Sequence, residues 1–101
     1  MVIWTRPAIA DLKAIHDFVT KDSTHYAKKV AQTLREKTDV LNRLPNIGRM
    51  VPEINEANIR ELRIYSYRVM YEVMSDHHRV LAVVHTRQDF EAQDLPNDKQ
   101  L

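Results

Sequence analysis

The spacing of apolar residues changes once along this chain, and the change falls at its only glycine. Before Gly48, small and apolar side chains recur every three or four positions. Ala8, Leu12, Ile15 and Val19 form one such series, and Ala27, Val30, Ala31, Leu34, Thr38 and Leu41 a second. That is the period of helices with one buried face. After Gly48 the runs are short and rich in β-branched and aromatic residues, at 59–64, 67–74 and 79–86. That is the habit of strands, and the last, nearly all apolar, suits a strand covered on both sides. Helices first and strands afterwards define an α+β domain rather than an alternating α/β one.

The boundaries follow from local chemistry. Residues 2–5 are bulky and apolar and read as a first strand, stopped by Pro7, which sits without cost in the first turn of a helix. Residues 21–24 interrupt the helical pattern and offer Asp22 or Ser23 as an N-cap, so the two helices should form an antiparallel hairpin, the second running to about Pro45. Gly48 lies between Pro45 and Pro52, marking 45–56 as a loop of specified backbone. Residues 75–78 make a hairpin turn. The expected order is β-α-α-β-β-β, a two-helix antiparallel hairpin packed on a small, mainly antiparallel four-stranded sheet. Residues 1–92 would form the single domain and 93–101 a loose polar tail.

Composition removes several function classes. With no cysteine there are no disulfides, thiolate metal sites or cysteine nucleophiles. No apolar run approaches a membrane span, and the first residues lack the order of a secretory signal, so a cytoplasmic protein is expected. The net charge is only +1, but Arg60, Arg63, Arg68, Arg79 and Arg87 fall in the second half, which permits a local basic surface.

The strands carry the candidate chemistry. Arg68 lies between Tyr67 and Tyr71, with Arg60 and Arg63 on the preceding strand. If the helices cover one face, the other could present Arg, His, Tyr and Glu together, guanidinium groups for phosphates and tyrosines for stacking on bases. The plainer reading of Arg60, Glu61 and Arg63 is a solvated strand with cross-strand ion pairs. His85 ends an apolar run and is either a proton-transfer group or a structural histidine. Glu53, in the ordered loop, could act as a general base if it met His85 and Arg68. His77 and His78 are a weak metal signal, and no metal or other cofactor is implied.

Five motifs in order resemble the RelE/ParE superfamily of bacterial toxins, and its ParE-like branch most. They are Ala8-Ile9-Ala10-Asp11-Leu12, the Pro45–Glu53 loop of the form Pro-x-x-Gly-Arg-x-Val-Pro-Glu, Arg60-Glu61-Leu62, Tyr67-Arg68-Val69-Met70-Tyr71 and His85-Thr86-Arg87. The resemblance implies the fold derived above and a type II toxin held in a hetero-oligomer by a cognate antitoxin, whose flexible tail wraps the toxin. Trp4, Phe18 and Tyr26 are the expected antitoxin contacts, although Trp4 and Phe18 on apolar stripes fit the core better.

ParE-like members inhibit DNA gyrase without being nucleases. On that reading Arg60, Arg63, Tyr67, Arg87 and Phe90 are the expected target or phosphate contacts, with an exposed Phe90 as anchor. RelE-like members instead cut messenger RNA on the ribosome, without a metal. For that alternative Glu53, Arg68 and His85 stand at the catalytic motif positions, Glu53 and His85 as the acid–base pair and Arg68 as the phosphate stabiliser. Thr86, where such nucleases carry tyrosine, and the absence of a lysine-rich early helix count against it.

Overall fold

The computed structural model describes residues 1–95 of the chain. The element order is β1 (Val2–Trp4), α1 (Arg6–Thr20), α2 (Thr24–Lys37), a 3-10 turn (Thr38–Asn42), β2 (Arg49–Met50), β3 (Ile59–Ile64), β4 (Tyr67–Val73), β5 (His78–His85) and a 3-10 turn (Ala92–Asp94). The sheet has five strands, in the order β1-β5-β4-β3-β2. The expected four are all present. The fifth is β2, two residues inside the loop read from the prolines, where Arg49 and Met50 pair with Glu61 and Arg60. Only β1 runs parallel to its neighbour, β5; the other pairs are antiparallel.

Capping sets the helix starts. Thr5 caps α1 by accepting the Ala8 N–H, and its hydroxyl also donates to the Val80 carbonyl at 2.8 Å. The end of β1 and the start of α1 are thus tied to β5 by one side chain. Ser23, not Asp22, caps α2, accepting from the Tyr26 N–H. The second helix stops being α-helical at Lys37 rather than reaching Pro45. The Thr38 hydroxyl bonds the Arg35 carbonyl at 2.7 Å and accepts from Trp4 Nε1, and the chain tightens into a 3-10 turn.

Both faces of the sheet are covered. Ala8, Leu12, Val30 and Leu34 of the helices pack on Ile64, Val69, Val80 and Val83. On the opposite face Val51, Ile59, Met70, Leu81, Ala82 and Val84 pack with Phe90. A register shift between Met70 and Tyr71 leaves Leu81 as an extra residue in β5, since Tyr71 pairs with Val80 and Met70 with Ala82. This bulge lets Val80 and Val83, three apart, both face the helices.

Packing explains the glycine of this loop. Its φ is not positive; among the described residues Asn55 and Tyr65 are left-handed. Gly48 is there for space. A Cβ would lie 2.5 Å from the Glu61 carbonyl and 2.7 Å from the Tyr71 hydroxyl. The polar tail expected from residue 93 begins within a 3-10 turn. Gln93 and Asp94 lie in the last 3-10 turn, where Asp94 accepts the Glu91 N–H, and Leu95 packs on the second core. The rest of that tail, 96–101, lies outside the described residues.

Candidate functional site

Strand alternation decides which side chains can meet. Arg68 pairs with Val84 and Arg63, and Tyr67 pairs with His85 and Ile64. Paired residues share a face and neighbours along a strand do not. Arg68, Glu61 and Arg63 therefore lie on the face opposite the helices. Tyr67, Tyr71, Arg60 and His85 lie on the helix side. The expectation of Arg, His, Tyr and Glu together on one open face fails for this reason, and that face is itself partly covered by Phe90, Val51 and Ile54.

Glu53 and Arg68 do meet. The Arg68 guanidinium donates to both Glu53 carboxylate oxygens, at 2.7 and 2.9 Å, and through Nε to Glu61 at 2.5 Å. Arg49 donates to the other Glu61 oxygen at 2.6 Å. The result is an alternating chain, Glu53–Arg68–Glu61–Arg49, of two cations and two anions. The Glu61 side chain is fully buried and that of Arg68 is 8% exposed, with the Phe90 ring lying over the guanidinium at 5.6 Å. The bond to Arg68 holds the Glu53 carboxyl below the usual carboxylate range, and the two carboxylates push the Arg68 guanidinium up. Glu61 is neither solvated nor part of the expected site, yet it is the hub of the network. One signal was available: Glu61 stands in phase with Ile59, on the strand face that turned out to be core.

His85 is elsewhere. Its ring packs edge-on against Tyr67 at a centroid distance of 5.5 Å, and its Nδ1 accepts the Arg87 N–H at 3.0 Å. The sheet separates it from Glu53 and Arg68, so the three expected catalytic residues are not brought together. The five expected target contacts also disperse. Arg63 and Arg87 are exposed, Tyr67 is half-buried beside His85, and Arg60 is half-buried and donates to the Gly48 carbonyl at 2.8 Å. Phe90 is 9% exposed, a core residue over Arg68 rather than an exposed anchor.

The helix side carries an open trough of about 370 Å³ between α1 and β5, lined by Asp11, Ile15, Phe18, Tyr67, Val83 and His85 among others. It continues into a cleft of about 170 Å³ bordered by Tyr26, Tyr65 and, again, Tyr67 and His85. The trough exists because β1 stops at Trp4, leaving the rest of β5 without a strand on that side. Asp11 takes over one lost bond, accepting the Val83 N–H at 3.0 Å, and burial pushes its carboxyl up. Phe18 is 66% and Tyr26 50% exposed, so Phe18 is not the core residue its stripe suggested. Trp4 is half-buried on the helix-side core, with Arg35 over its ring. Among the described residues no cluster of His, Asp or Glu is placed to hold a metal, and no helix is long and apolar enough to cross a membrane.

The class is thus a two-layer α+β domain with a neutralised charge network on one face and an unfilled apolar trough on the other. The family described as the ParE toxin of the type II toxin–antitoxin system parDE matches residues 2–90, and the chain belongs to it. The chain is 36% identical over 73 residues to a protein named toxin RelE2 from Caulobacter vibrioides, covering 71% of this chain and 78% of that one. It also resembles a solved structure titled chromosomal ParDE TA system from P. aeruginosa, at 26% identity and a TM-score of 0.70, covering 83% of this chain and 92% of that one. The chain is a type II toxin of the ParE family.

Proposed function

We propose that this toxin acts by binding DNA gyrase rather than by chemistry of its own, and that a cognate antitoxin neutralises it by filling the trough between α1 and β5. The observation that carries the first part is the occupation of Arg68. A phosphate-stabilising arginine needs free donors aimed at its substrate. Three bonds from this guanidinium go to Glu53 and Glu61 instead, and the histidine that would share the proton transfer lies across the sheet. The ribonuclease reading would need both arrangements to change.

For the second part, the trough offers an apolar floor beside the stretch of β5 that no strand covers, where Asp11 already accepts the Val83 N–H. An extended tail can add main-chain bonds along that stretch while placing apolar side chains against Ile15, Phe18 and Tyr67. The similarity to a solved chain of a ParDE system supports a toxin held by its partner. Growth arrest in the cytoplasm, with a role in plasmid maintenance, fits the same reading.

The test is a paired assay with purified toxin. Gyrase supercoiling and cleavage-complex formation are followed in one reaction and cleavage of ribosome-bound messenger in another. Trapped gyrase with intact messenger is the expected result. Cut messenger with unaffected gyrase would overturn the proposal and return Glu53, Arg68 and His85 to the role of an active site.

A further inference from the structure

We infer that the loop from Arg43 to Met50 is the surface with which this toxin grips its target, and that it takes a protein segment presenting an apolar ridge flanked by a carboxylate. The inference rests on the reading above that the chain acts by binding. Leu44, Ile47 and Met50 are 49%, 52% and 39% exposed. Single exposed apolar residues are ordinary. Here three stand within seven positions, and Leu44 and Ile47 line, with Pro45 and Arg43, a depression of about 360 Å³.

The loop is rigid. Gly48 is packed against Tyr71 with no room for a side chain. The Tyr71 hydroxyl donates to the Pro45 carbonyl at 2.7 Å and accepts the Gly48 N–H at 2.9 Å, and Arg60 holds the Gly48 carbonyl. The Ile47 N–H donates to the Leu44 carbonyl at 3.1 Å. A buried tyrosine thus fixes a loop whose outer side chains are left in water. Such preorganisation lowers the ordering cost of binding.

Charge selects the partner. Arg43 is exposed, lines the depression itself, and has no carboxylate partner among the described residues. Arg49 is not part of the rim of that depression, being paired with Glu61 on the opposite face of the sheet from Met50. An apolar depression with one unpaired cation at its rim is complementary to an apolar ridge with a carboxylate beside it. The position separates this surface from the antitoxin trough. Strand β2 forms one edge of the sheet, and the trough opens beside β5, three strands away.

The experiment compares the full-length wild type with Ile47→Asp, Ile47→Asp combined with Met50→Asp, and Arg43→Glu. Ile9→Asp, at another exposed position, controls for the added carboxylate. The readouts are growth arrest on induction without antitoxin, the toxin concentration for half-inhibition of gyrase supercoiling, and thermal unfolding. Loss of growth arrest, and about a tenfold or larger rise in the inhibitory concentration, are expected for the loop variants, with Tm within about 2 °C of wild type. Loop variants that arrest growth and inhibit gyrase like wild type would overturn the inference, as would Ile9→Asp losing as much activity. If the wild type arrests growth without touching gyrase and Ile47→Asp abolishes the arrest, the gyrase reading falls and the docking surface stands. A wild type that arrests nothing overturns both.

Discussion

The Glu53–Arg68–Glu61–Arg49 chain makes a quantitative prediction about what Arg68 is for. Glu61 has no exposed side-chain surface and is held by two guanidinium groups, only one of which, Arg68, is itself buried. Replacing Arg68 by Met leaves Glu61 with the solvent-screened Arg49 alone. Breaking a buried pair from one side costs about 3–5 kcal/mol, a large share of the roughly 5–15 kcal/mol that hold a domain together. Glu61→Leu is milder, at about 2 kcal/mol, because Arg68 keeps its two bonds to Glu53, whose side chain is 32% exposed. The double variant, Arg68→Met with Glu61→Leu, leaves no buried charge in the pair and fills the space with apolar atoms beside Met70 and Phe90. It should lie within about 1 kcal/mol of wild type. The pair is therefore strongly non-additive. Urea unfolding at neutral pH, followed by circular dichroism and the single tryptophan, measures all four proteins, with unchanged m-values as the condition for comparing midpoints. A double variant as unstable as the sum of its parents would refute the argument. So would an Arg68→Met protein with the wild-type midpoint that no longer arrests growth, because Arg68 would then be a working group and not a structural one.

Other outcomes follow from the same geometry. Gly48→Ala should cost about 2–4 kcal/mol in urea unfolding, since its Cβ meets main chain and the Tyr71 ring and must break the tyrosine's two bonds; a loss under about 0.5 kcal/mol would show that the loop yields. Asp11 has its folded pKa raised by burial, so the folded state binds its proton more tightly, and this group's contribution falls as pH rises from the ordinary aspartate value through the raised one. Asp11→Asn keeps an acceptor for the Val83 N–H and should remove that decline, read as a flatter stability curve across mildly acidic pH. Glu53 has the opposite sign: its depressed pKa contributes stability above the ordinary carboxylate range that is lost as pH falls through the folded value. Glu53→Ala should therefore cost about 1 kcal/mol or less at pH 7 and nothing in strong acid, where urea midpoints should converge with wild type. His85→Ala should leave growth arrest intact, and its loss in a folded protein would return the histidine to the mechanism.

The sequence by itself determined the elements. The helical stripes of α1 and α2, the three later strands and the α+β order are local matters of periodicity, and Thr5, Ser23 and the prolines set boundaries by chemistry confined to a few neighbours. The motifs around Asp11, Gly48 and Arg68 were legible as fixed positions, though not the reasons for them. Those reasons are contacts across long stretches of chain. Gly48 needs room for Tyr71, 23 positions away, and Asp11 answers the bond that β5 loses where β1 stops, 72 positions away. The tertiary structure alone decided the site. Register put Arg68 and His85 on opposite faces, and a strand's residue types do not carry its register. Packing brought Phe90 back over Arg68, so the expected anchor became core, while Phe18, on an apolar stripe, came to the open trough because no strand covers that side of β5. Burial made Glu61 the centre of the charge network, and burial is a property of what the rest of the chain leaves above a residue, which no local pattern states.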